Sequence, residues 1–151
     1  MNRTDQLMKQ YSLLPHPEGG YFSEYYTAPF SCSSRALCGS IFFLLKNDDI
    51  SHFHQIDCDE IWYYHEGCGM KIHVIDQDGY HCEELSPEGS FCIVLPKGVL
   101  FAAENLDRRS YTFVSCATTP AFAYAGFRLV PYREISHINA DLSYLCISQE
   151  K

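Results

Sequence analysis

"SHFHQIDCDEIWYYHEG", Ser51 to Gly67, carries two histidines one residue apart, an acidic run and a closing glycine. In a strand, residues two apart point to the same face, so His52 and His54 share one side and Phe53 takes the other. Glu60 opens the next strand, with Trp62 and Tyr64 on its face. The intervening "IDCD" is long enough to return Glu60 opposite His54. Two imidazoles and a carboxylate so placed make an open three-ligand site for a divalent metal. Without metal, His54 and Glu60 make an acid–base pair. The plainer alternative is a hydrogen bond between His54 and Glu60 inside a polar barrel. Asp57 and Asp59 read as solvated turn residues.

The same texture runs outward in both directions. "YFSEYYT", "SIFFLL", "EIWYY", "MKIHVI", "YHCEE", "SFCIVL", "LFAA", "SYTFVSCAT" and "YAGFRLV" are short and rich in aromatic or β-branched residues. Turn chemistry separates them at "KNDD", "EGCG", "DQDG", "SPEG", "PKG" and "ENLDRR", with Asp78-Gly79 a hairpin signal. Short strands at such spacing predict an all-β sandwich or barrel. Leu7, Met8, Tyr11 and Leu14 recur at helical spacing behind Thr4, which predicts a short N-terminal helix capped there. "PHPEGG" stops it with two prolines and turns the chain at Gly19-Gly20. "PYREISHINADLSYL" reads as a further helix at the C-terminus.

Composition bounds the function. The 151 residues are 46% hydrophobic and 20% charged, which suits one folded domain over 1–151. A net charge of −8 without a basic cluster argues against nucleic acid and anionic membrane surfaces as partners. No apolar run approaches a membrane span. The first residues, "MNRTDQLMKQYSLL", lack a secretory core, so a cytoplasmic location is expected. The eight cysteines include no C-x-x-C pair and read as reduced, small apolar residues. G-x-S-x-G is absent, so no serine-nucleophile signature is present.

His52-Phe53-His54, Glu60 and Gly67 resemble the first motif of the cupin superfamily, G-x5-H-x-H-x3,4-E-x6-G. The histidine–glutamate gap is longer here, and Lys46 replaces the opening glycine. "PKGVLFAAEN" resembles the second motif, G-x5-P-x-G-x2-H-x3-N, through Pro96, Gly98 and Asn105. Phe101 stands at the histidine position, and a phenyl ring has no lone pair to serve as the fourth ligand. Within the superfamily the chain resembles the small branch called the cupin five family, over about residues 11–130. "HPEGGYFSE" (16–24), Arg35 before "SIFFLL" (40–45), "SHFHQ" (51–55), "DEIW" (59–62), "PKGVLF" (96–101) and "TTPAFAYAGF" (118–127) carry the likeness. Gln55, Leu100, Ala123 and Gly126 depart from that family's usual arginine, tryptophan and acidic residues.

The resemblance implies a double-stranded β-helix, or jelly-roll barrel, a homodimer, and an interior pocket without a settled activity. By matching position it implies Glu18, Tyr21, Arg35 and Trp62 as ligand-binding residues beside His54 and Glu60. Three functions follow as expectations. One is a barrel that binds a polar, sugar- or carboxylate-bearing small molecule and needs no cofactor. Another is a metal-independent epimerase or isomerase working through His54 and Glu60. The last is a dioxygenase-like enzyme with a divalent metal on His52, His54 and Glu60, a set that Phe101 weakens.

Overall fold

The computed structural model describes residues 1–147. Helix α1 (Arg3–Gln10) leads into β1 (Leu14–Pro15), β2 (Tyr21–Thr27), β3 (Ser31–Cys32), β4 (Arg35–Ala36), β5 (Gly39–Lys46), β6 (Ile50–Ile56) and β7 (Asp59–Gly67). The chain continues through β8 (Met70–Asp76), β9 (Gly79–Leu85), β10 (Cys92–Leu95), β11 (Leu100–Asn105), β12 (Tyr111–Thr119) and β13 (Phe127–Leu129). They assemble into a six-stranded sheet, β1-β2-β5-β12-β7-β10, and a five-stranded sheet, β13-β6-β11-β8-β9, with β3-β4 as a separate ribbon. Pairing within each ladder is antiparallel. The expected jelly roll is present, and Asp78-Gly79 closes the β8–β9 hairpin with Asp76 opposite Gly79.

Alternation along the strands builds three apolar layers. Phe43, Leu45, Trp62, Val114 and Cys116 from the first sheet meet Ile56, Met70, Ile72, Val74 and Phe101 from the second between the sheets. Burial of such side chains stabilises by about 1.5–3 kcal/mol each before chain entropy is counted. Leu7 and Leu13 cover Leu44 and Phe113 on the outside of the six-stranded sheet. Val130, Ile135, Leu142 and Leu145 cover Phe53 and Ala102 on the outside of the five-stranded one.

Both ends differ in detail from expectation. The helix cap is Asn2, whose side chain accepts the Asp5 N–H, while the Thr4 hydroxyl donates to Asn2 Oδ1. Leu14, expected on the helix, is exposed in β1. The C-terminal segment forms no α-helix. It makes two 3-10 segments, Tyr132–Glu134 and Ala140–Leu145, because Asn139 is extended and caps the second one through the Asp141 N–H. Among the described residues no helix is long and apolar enough to cross a membrane.

Candidate functional site

A cavity of about 210 Å³ opens at one end of the barrel. Antiparallel register collects its wall there: Thr118 pairs with both Gly39 and Glu60, and all three line it. The strand partners of His54 are Phe101 and Leu129. His54 and Glu60 therefore do not face each other along one hairpin, as "IDCD" suggested. β6 and β7 belong to different sheets, and the two side chains approach across the interior.

His54 is almost fully buried, with its ring centroid 4.1 Å from that of Phe101. Its Nε2–H donates to Glu18 Oε2 at 2.8 Å and its Nδ1–H to the His52 carbonyl at 2.7 Å. Facing a carboxylate and a carbonyl, both ring nitrogens are donors, which defines an imidazolium beside a carboxylate. Burial opposes charge on His54, but the Glu18 carboxylate and the two hydrogen bonds outweigh it and raise its pKa above 6.5. Burial likewise pushes Glu18 up, and the His54 imidazolium overrides it to hold Glu18 below its ordinary value. The acid partner of His54 is thus Glu18, not Glu60.

Glu18 reaches the interior from a tight turn rather than from a strand. The His16 N–H donates to the Gly20 carbonyl, and the Gly19 N–H to the His16 carbonyl. Gly19 sits at φ 111°, and a side chain there would overlap the Ile50 carbonyl oxygen. The Glu18 N–H donates to His16 Nδ1 at 3.1 Å. Burial lowers the pKa of His16, which stands among the rings of Phe22, Phe43, Phe122 and Phe127.

Glu60 is the second buried acid. Trp62 Nε1–H donates to its Oε1. Loss of solvation, then repulsion from Glu18, push its carboxyl up to about 7, against the pull of His54 and the Trp62 hydrogen bond. A group titrating there can hold or release a proton at neutral pH.

The other expected site residues sit elsewhere. His52 does not line the cavity. Its backbone N–H and its Nδ1–H both donate to the Glu18 carbonyl, at 2.8 and 2.7 Å, so it clamps the glutamate-bearing turn to β6. The reason is a bulge: Phe101 opposes His54 and Ala103 opposes Ser51, leaving His52 and Phe53 against Ala102 alone. The extra residue breaks the simple alternation that placed the two histidines on one face. Tyr21 points away from the barrel interior, under Lys46 Nζ at 4.6 Å, because its neighbour Phe22 takes the inward position. Trp62 is core, edge-on to Phe43 and Phe101, and acts on the cavity only through Glu60. Arg35 grips Asp57 with two nitrogens, at 3.0 and 2.8 Å, and donates through Nε to the Ala121 carbonyl. It braces the cavity mouth, and Asp57, exposed in its turn as expected, is also paired.

These placements test the metal reading. Both nitrogens of His54 are occupied as donors, His52 is turned to the Glu18 carbonyl, and Phe101 offers no lone pair. His52, His54 and Glu60 do not form a ligand set. Among the described residues no group of three or more His, Cys, Asp or Glu side chains is arranged to hold a metal ion. Sequence reasoning also left Phe22, Thr118 and Phe122 off the wall. The inward-pointing alternation of β2 and β12 could have found the first two, whereas Phe122 lies in the irregular segment after β12.

A jelly roll whose open end carries buried His and Glu side chains defines a cupin. The chain belongs to the family described as Cupin superfamily (DUF985), whose model matches residues 5–130. A protein from Shewanella oneidensis is 28% identical, with a TM-score of 0.88 over 99% of this chain and 100% of its own. A hypothetical protein from Leishmania major is 25% identical, with a TM-score of 0.84 over 96% and 97%. An oxalate decarboxylase variant from Bacillus subtilis shares the fold at 18% identity and TM-score 0.60, over 91% of this chain and 38% of its own. No curated protein matches the sequence.

Proposed function

We propose that the protein binds a small, polar, hydroxyl- or carbonyl-bearing molecule in the barrel cavity. The observation that carries this reading is the convergence on one cavity wall of a buried carboxyl, Glu60, and the His54–Glu18 ion pair. Small-molecule sites combine an enclosing apolar wall with a few convergent polar groups, and Phe22, Ile41, Ile56 and Phe122 supply that wall. The volume suits a ligand smaller than a nucleotide. A thermal-shift screen with monosaccharides, sugar acids and small hydroxy compounds tests it. A stabilising hit that Phe22→Trp abolishes by filling the cavity supports the reading, and a screen without hits refutes it.

The pKa of Glu60 also favours a second reading, metal-independent epimerase or isomerase chemistry. Glu60 would take a proton from a carbon next to a carbonyl and deliver it back to the substrate. The His54 imidazolium would act on the charge formed only through its field, since both its N–H groups stay on Glu18 and the His52 carbonyl. Incorporation of solvent deuterium into a bound ligand, lost in Glu60→Gln while binding persists, is the expected result. Binding without exchange leaves the protein a binder.

A second copy is the partner this reading includes. Tyr63, Phe91 and Val94 are 40%, 66% and 58% exposed along the β7–β10 edge of the six-stranded sheet. Sedimentation of wild type as a dimer and of Val94→Lys as a monomer is expected; a monomeric wild type overturns it.

A further inference from the structure

The sugar- or carboxylate-bearing ligand expected from sequence is neutral or anionic, and the charges lining the cavity favour the opposite sign. Resting on the binding reading above, we infer that the cavity selects a small molecule bearing an ammonium group over its neutral or carboxylate counterparts. The lining contains Glu18, Glu24 and Glu60, two histidines, and no lysine or arginine.

The positive charge of His54 is already committed. Its two N–H groups are taken by Glu18 and the His52 carbonyl, so it has no donor left for an incoming anion. His16 accepts the Glu18 N–H at Nδ1 and loses the solvation an imidazolium needs. Arg35, the cation that braces the mouth, has its guanidinium engaged by Asp57 and the Ala121 carbonyl, and it does not line the cavity.

Two carboxylates remain without a cationic partner. Glu60 is more than nine-tenths buried, and Trp62 occupies only its Oε1. Its other oxygen makes no hydrogen bond among the described residues, although the side chain lines the cavity. Glu24 is exposed at the mouth. The wall also carries the aromatic side chains of Phe22, Tyr26 and Phe122, a ring type whose faces attract cations. An ammonium reaching Glu60 gains a charge-assisted hydrogen bond with an acceptor otherwise unused. A carboxylate in the same place meets like charge and finds no free cationic donor, because both N–H groups of His54 are taken.

The test uses matched probes that differ in one group: glucosamine, glucose and glucuronate, and 4-aminobutanol, 1,4-butanediol and 4-hydroxybutyrate. Calorimetric titration of the full chain at neutral pH should show the amine of at least one series binding about tenfold or more tighter than its diol or sugar, with the acid weakest. Glu60→Gln, which keeps an oxygen for Trp62, should reduce that ratio to about twofold or less. Glu24→Gln, at an exposed position of β2, should reduce it by a smaller factor and lessen its salt dependence. Equal or tighter binding of the neutral or acidic members overturns the charge preference while leaving the binding reading intact. No binding by any of the six removes both.

Discussion

Replacing Glu60 with glutamine should make stability less dependent on pH, in a direction opposite to that of an ordinary surface carboxylate. The folded carboxyl titrates at about 7, against an ordinary value of 4.5. Between those two pH values the folded chain keeps a proton that the unfolded chain has lost. Unfolding is then favoured as pH rises, and the contribution is complete above the folded pKa. At about 1.4 kcal/mol per pH unit, the wild type loses about 3 kcal/mol from this group between about pH 4.5 and pH 8. The glutamine of E60Q cannot ionise and is spared that loss, while its side-chain oxygen still accepts the Trp62 N–H. Urea unfolding of both proteins across that range cancels the titrations they share. The stability of E60Q relative to wild type should climb by about 3 kcal/mol from acid to alkaline conditions, whatever its offset at the acid end. A difference that stays flat to within about 1 kcal/mol, or that falls as pH rises, would refute the burial argument for Glu60.

Removing Glu18 alone strands the His54 charge, so E18Q should lose about 3 kcal/mol or more at neutral pH in urea unfolding, and E18Q/H54Q should recover part of it. Phe101→Ala leaves a void between His54 and Trp62 and should cost about 3–5 kcal/mol, read as a lower urea midpoint with an unchanged slope. Gly19→Ala forces a side chain against the Ile50 carbonyl at positive φ; a loss of about 2 kcal/mol or more is expected from thermal unfolding, and an unchanged midpoint contradicts the packing described for the turn.

Local patterns were readable from residues alone; long-range pairing was not. The aromatic and β-branched runs became strands, and Asp78-Gly79 became a hairpin, because alternation and turn chemistry act over a few residues. The inward positions of His54, Glu60 and Trp62 followed from the same alternation. What failed depended on distant partners. β6 pairs with β11 and β13, and β7 with β12 and β10, so Glu60 arrives from across the barrel rather than from the next strand. The bulge at His52 and Phe53 is a property of β6 against β11 that the period-two pattern does not announce. Glu18 stood in a motif marked for its glycines, and only the closed barrel shows that those glycines deliver its carboxylate to His54.

The turn His16–Gly20 contributes no residue to either sheet, is pinned to β6 through His52, and supplies the counter-ion at the centre of the barrel. Five residues that form no rung of either ladder therefore set what His54 and Glu60 experience. A change of electrostatic character made through this turn therefore carries a folding cost, set by the buried ion pair and by the glycine the turn must keep.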